Sequence, residues 1–267
     1  MTDPMPLRLP PAMVQRAREF DGTPAPARPA ATVVLLRPAD PGFEVYVLRR
    51  VTGMVFGGVY AFPGGGVDPT DRPTTVRTDW PDRLGVPDEP ARAVVGAAAR
   101  ELFEEAGVLL AGDEQRTAGD VSGPDWEADR LAVQSRALTL TQLLERRGLR
   151  LRDDLLLPWA RWVTPEFEPR RFDTWFFVAL LPAAQTARDV SGEADRTAWV
   201  RPAEADGLAM LPPTRSTLRD LSGYADVADV VAASAQRNAA APVEPRVELT
   251  GDGGAVLWID QPKRPVM

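Results

Sequence analysis

The chain of 267 residues has neither cysteine nor histidine, which excludes disulfides, thiolate metal sites, cysteine nucleophiles, histidine triads and the usual zinc ligands. With 44% hydrophobic and 26% charged residues it can build an ordinary core as one large or two small domains. The formal charge of −7 argues against a nucleic-acid partner, so any chemistry falls to carboxylates, arginines, hydroxyls and backbone.

Residues 1–30 read as an arm, Pro-rich at both ends around a short helix from Ala12 to Phe20. Two strands follow, Thr32 to Arg37 and Phe43 to Arg49, joined by the turn-forming run Pro38-Ala-Asp-Pro-Gly42. Val59 to Phe62 predicts a third strand that ends at Pro63 and three glycines. Residues 69–90 have no sustained period and read as an inserted loop, after which Ala91 to Ala106 predicts a strong helix stopped by Gly107. Val108 to Ala111 reads as a short strand, and two helices are expected near 127–136 and 139–147. Strands are then expected over Trp159–Thr164, Phe172–Leu181 and Thr197–Val200, a mostly helical stretch over Leu218–Ala235 with a break at Gly223, and a closing hairpin from Val247 to Ile259. No apolar run reaches the ~18 residues of a membrane span, and the N-terminus lacks a secretory stretch, so no membrane partner and a cytoplasmic location are expected. Only one of the 31 basic residues, Lys263, is a lysine, so a single arginine carries little information in this sequence.

The informative segment is Arg100-Glu-Leu-Phe-Glu-Glu-Ala-Gly-Val108. At ~100° per residue Glu101, Glu104 and Glu105 share one helical face, opposite Ala99, Leu102, Phe103 and Ala106. Three gathered carboxylates repel unless cations neutralise them, and hard oxygen donors suit Mg²⁺ or Mn²⁺. They also sit near a helix C-terminus, where the macrodipole disfavours negative charge. A solvated acidic face would explain the acids alone, and a tight turn would explain the glycines alone. Together, a glycine-rich segment and an acid-faced helix point to bound metal and phosphate.

These residues resemble the Nudix box, GX5EX7REUXEEXGU with U apolar. Arg100 to Val108 fit its second half at every defined position, and Gly65 to Asp71 fit GX5E with Asp for Glu. Residues 72–99 stand where the pattern has seven, an insertion that leaves the helix whole. Trp162-Val-Thr-Pro165, Pro169-Arg-Arg-Phe-Asp-Thr174 with Phe176-Phe177, and Leu211-Pro-Pro-Thr214 with Leu218 resemble the branch of peroxisomal-type coenzyme A diphosphatases and their bacterial relatives. Before the box, Arg49, Gly58 and Phe62-Pro-Gly-Gly65 match the coenzyme A motif, whereas Arg50 and Met54 depart from it.

The resemblance implies an α/β (α+β) fold: an α/β/α sandwich on a mixed sheet, spanning 31–222, with insertions at 69–90 and 112–147 and an extension at 223–267. It implies metal-dependent hydrolysis of a diphosphate bridge in a small nucleoside diphosphate derivative, coenzyme A or its acyl esters first. ADP-ribose or dinucleotide hydrolysis and a non-catalytic binding module are the alternatives. Glu104 and Glu105 are implied as ligands for Mg²⁺ or Mn²⁺, with the Gly65 carbonyl and Glu193 as further candidates. Glu101 would bind metal, orient water or act as base, and Arg100 would orient Glu101 or pair with Asp71. Arg49, Arg50, Arg170 and Arg171 are candidate phosphate contacts, and Phe62 is a candidate substrate contact. A homodimer is compatible with this reading.

Overall fold

The computed structural model describes residues 6–51, 57–190, 192, 194–237 and 239–259. Its centre is a mixed sheet built around β2 (Ala27–Pro38). On one side β2 pairs antiparallel with β3 (Phe43–Arg50), and on the other it runs parallel to β9 (Arg171–Leu180) from Ala27↔Arg171 to Leu36↔Leu180. β8 (Leu157–Val163) and β10 (Ala194–Val200) extend the sheet beyond β9 and β3. Two short strands complete it: β4 (Tyr60–Ala61) on β3 and β5 (Gly64–Gly66) on β2.

Alternation along β2 divides the molecule into two layers. Ala31, Val33 and Leu35 face α3 (Asp88–Ala106), α2 (Trp80–Leu84) and the helical insert α4 (Pro124–Gln134) and α5 (Leu140–Arg147). Val34 and Leu36 face α1 (Pro11–Glu19), α6 (Pro212–Leu221) and α7 (Val227–Ser234). The result is an α/β/α sandwich. A three-stranded sheet joins the ends of the chain, with β1 (Leu7–Arg8) and β11 (Arg246–Leu249) flanking β12 (Ala255–Trp258). β6 (Ala111–Gly112) and β7 (Arg150–Leu151) form a small pair at the base of the insert. Among the described residues, no helix is long and apolar enough to cross a membrane.

Several elements differ from the sequence expectation. The strand expected from Thr32 begins at Ala27, inside the stretch read as an arm, because Pro29 lacks a donor but its carbonyl still accepts from the Val67 N–H at 2.9 Å. The glycines after Pro63 form β5 instead of only a turn. The stretch 69–90 is not all loop: it contains α2, pinned by the buried Trp80, whose indole N–H donates to Asp153 at 2.7 Å. α3 starts at Asp88, where Asp88 and Glu89 complement the helix dipole and Pro90 is tolerated in the first turn. Only Ala111 and Gly112 of the apolar run after Gly107 pair as a strand; Val108 to Leu110 are core loop. The helical stretch expected over Leu218–Ala235 with a break at Gly223 is two helices separated at 222–226, the first of which begins earlier, at Pro212. Pro212 and Pro213 open α6, and Asp226 caps α7 by accepting the Asp229 N–H at 2.9 Å.

Candidate active site

The site forms where α3 lies against β5. α3 ends at Gly107, whose φ of +65° suits a residue without Cβ and whose N–H donates to the Phe103 carbonyl at 3.0 Å. Gly65 lies opposite Ala31 and directly against Glu101; a Cβ there would come within 2.6 Å of Glu101 Oε1. A Cβ on Gly64 would come as close to the Ala31 carbonyl oxygen. The glycines therefore let a strand press onto the acid-bearing turn of the helix. Gly64 N–H donates to Glu105 Oε2 at 2.8 Å, which ties strand to helix.

Arg100 organises the cluster. Its side chain is 1% exposed and donates to both oxygens of Asp71 at 2.7 and 2.9 Å, to Glu101 Oε1 at 2.6 Å, to Glu104 Oε1 at 3.3 Å and to the Gly66 carbonyl at 2.8 Å. Arg100 thus contacts both residues with which the sequence reading linked it, Glu101 and Asp71. Burial opposes the charge of Arg100, but Asp71, Glu101 and Glu104 outweigh it and raise the guanidinium above its usual range. Glu101 behaves differently. Burial pushes its carboxyl up to about 7, Arg100 pulls it down, and Glu104 pushes it up again.

The helical insert closes the site from the side. Arg130, on α4, donates to the Glu104 backbone carbonyl at 2.8 Å and is buried. Arg136, in the turn between α4 and α5, donates to Glu104 Oε1 and, through Nε, to Asp68 Oδ2 at 3.2 Å. Asp68 is held down at about 2, first by the Thr70 hydroxyl and N–H and then by Arg136. Sequence reasoning missed Arg130, Arg136 and Asp68. The Asp68-x-Thr70 spacing of a local turn was the one available signal for Asp68; the two arginines were lost among 28 others.

Several of the expected substrate residues have other partners. Arg49 forms a two-pronged pair with Asp195 of β10 at 2.7 and 3.0 Å. Arg50 ends β3 opposite Ala194, half-buried. Arg170 is exposed just before β9. Arg171 and Phe62 have the following surroundings. Arg171 donates to the Thr164 and Ala25 carbonyls at 3.0 and 2.8 Å, so it latches backbone segments together. Phe62 is 2% exposed in the layer facing α6, edge-on to Phe176 at 6.5 Å, so its ring is core. Glu193 and Met54 lie outside the described residues.

Among the described residues no three acids stand grouped as a ready metal site. Glu101 and Glu104 turn toward arginines, and Glu105 toward the Gly64 N–H. The donor set nevertheless fits a hard divalent ion. The carboxylates of Asp71, Glu101 and Glu104 are buried around Arg100 with the buried Glu105 beside them, and the other buried arginine here, Arg130, reaches Glu104 only through its backbone carbonyl. Gly65 lets the Glu101 carboxylate lie directly against the strand, where any Cβ would collide with it.

Residues 73–209 match the family described as NUDT19 Nudix domain. The chain is 29% identical over 206 residues to "Putative nudix hydrolase 7" of Caenorhabditis elegans, covering 74% of this chain and 62% of that protein. It is 26% identical over 246 residues to "Acyl-coenzyme A diphosphatase NUDT19" of Homo sapiens, covering 72% and 64% respectively. The protein of the same name from Xenopus laevis is 30% identical over 133 residues, 45% of this chain and 34% of that one. The chain thus spans less than two thirds of the length of these relatives. The solved structure of a NUDIX hydrolase from Alicyclobacillus acidocaldarius shares the fold with a TM-score of 0.64 and 29% identity, covering 80% of this chain and 98% of the other.

Proposed function

The chain belongs to the NUDT19 Nudix domain family, and from that premise we propose that it is a divalent-metal-dependent diphosphatase acting on coenzyme A or its acyl esters. The products are 3′,5′-ADP and (acyl)phosphopantetheine. The observation that carries this reading is the buried acid cluster of α3, pressed against glycines and left with more carboxylates than buried cations. The likeness to two proteins named acyl-coenzyme A diphosphatase supports the substrate class.

Glu104 and Glu105, with Glu101 and the Gly65 carbonyl, would hold Mg²⁺ or Mn²⁺. Such an ion supplies charge neutralisation of the diphosphate and acidifies a water molecule. The protein's own contribution is positional. Asp71 clamps Arg100 from one side, and Arg100 fixes Glu101 through Oε1, which directs Oε2 as a proton acceptor. Gly64 N–H holds the Glu105 carboxylate against the strand.

The test is product analysis by mass spectrometry, with Mg²⁺ or Mn²⁺ and a panel of coenzyme A, acetyl-coenzyme A, ADP-ribose, reduced NAD and diadenosine polyphosphates. Preferred release of 3′,5′-ADP from coenzyme A or its ester supports the proposal. Preferred cleavage of ADP-ribose or a dinucleotide supports a second reading within the same chemistry. The commitment of Arg49 to Asp195 favours that alternative, because it takes a matched residue of the coenzyme A motif out of use. A chain that binds these molecules and cleaves none is a binding module.

A further inference from the structure

Two arginines of the helical insert reach Glu104, and they are built differently. Arg130 is buried and grips the backbone carbonyl, a contact indifferent to what the carboxylate does. Arg136 grips the carboxylate itself, from a side chain about one third exposed. Its Nη1 also donates to the Val133 and Gln134 carbonyls at 3.0 and 3.2 Å, so the same group closes the end of α4. Among the described residues it is the one non-glycine at positive φ, +63°, a backbone state that costs energy and is retained where surrounding contacts hold it.

We propose that Arg136 is a positioning residue: a resident counter-cation that neutralises Glu104 and that a divalent ion must displace, so that loading the site loosens the turn between α4 and α5. The inference rests on reading Glu104 as a metal ligand. Its physical basis is that Glu104 Oε1 already accepts from two guanidinium groups. A dication at the same oxygen repels both, and only Arg136 has solvent to move into, because Arg100 is sealed in by Asp71 and Glu101.

The experiment measures Mn²⁺ binding without substrate, by calorimetry or by the resonance signal of free Mn²⁺. It compares the wild type with Arg136→Gly, which suits the positive φ, and with Arg136→Lys, which keeps the charge. The expected result is that Arg136→Gly binds Mn²⁺ about tenfold more tightly, the scale of one charge-assisted hydrogen bond. Arg136→Lys should stay within about twofold of the wild type by the same charge argument. Hydrogen exchange gives a second readout. Amides 135–139 should exchange faster when Mn²⁺ is added to the wild type, and should already be fast in metal-free Arg136→Gly. Equal or weaker Mn²⁺ binding by Arg136→Gly overturns the exchange while leaving the acids as ligands. Absence of Mn²⁺ binding in both proteins overturns the exchange and the ligand reading together.

Discussion

The two layers on either side of the central sheet are packed by the same alternation of β2, yet they bury different things. Toward α6 and α7 the interior is largely apolar, with Val34, Leu36, Phe176, Val178, Leu218 and Val230 in one cluster, hydroxyls such as Thr214 and Thr217, and the buried Glu168 met by Arg16 of α1 at 3.0 Å. Toward α3 the apolar core stops at one turn of helix, where Asp71, Arg100, Glu101, Glu104 and Glu105 are all at most 8% exposed. Burying charge is costly unless every partner is supplied. A fold stabilised by packing alone has no need of that turn, and it is this turn that the proposed function uses.

The sharpest way to break the comparison is to remove the cation that holds the polar layer together. Arg100→Ala leaves Asp71 and Glu101 buried without their main partner and should cost about 3–5 kcal/mol in denaturant-induced unfolding. Leu218→Ala, in the apolar layer, should cost about 2–4 kcal/mol by transfer and cavity terms. Below its unfolding range that variant should keep wild-type turnover, and a loss of turnover there would mean that the layers are not separable. Gly65→Ala drives a methyl into the Glu101 carboxylate and should cost about 1–3 kcal/mol through overpacking. Its turnover should fall by more than that of Leu218→Ala.

A subtler probe is pH. The carboxyl of Glu101 is raised to about 7 from an ordinary 4.5, so the folded state holds a proton that the unfolded state releases. Its contribution to stability is therefore present below about 4.5 and is lost as pH rises toward 7. In chelator-treated protein, Glu101→Gln should flatten the decline in melting temperature across that window. An unchanged pH profile would show that Glu101 is not the group responsible. Asp68, held at about 2, contributes in the opposite sense, with stability that is lost as pH falls from 3.8 through that value.

Much of this layering was legible before any coordinates. The acid face and apolar face of α3 follow from helical geometry, and β9 announces itself through the apolar and aromatic run from Trp175 to Leu180, which burial on both faces explains. β5 was not legible as a strand, because three glycines have no side chains to alternate; its pairing is explained by the close approach of α3, a tertiary fact. α2 was hidden for a related reason, since prolines and aspartates around Trp80 mask a helix of five residues anchored by a distant partner, Asp153. Within the site, Arg100 and Asp71 could be paired from a motif. Arg136 could not, because its contact with Glu104 spans 32 positions and depends on how an insertion folds back.

The central claim is that the buried acids of α3 hold the ion on which diphosphate cleavage depends. The most direct test is steady-state hydrolysis of coenzyme A at saturating Mn²⁺ by Glu104→Gln beside the wild type, with circular dichroism to show that both are folded. The account predicts a loss of at least ~100-fold, the scale of removing one group that supports transition-state charge. A folded Glu104→Gln protein with wild-type turnover would contradict it.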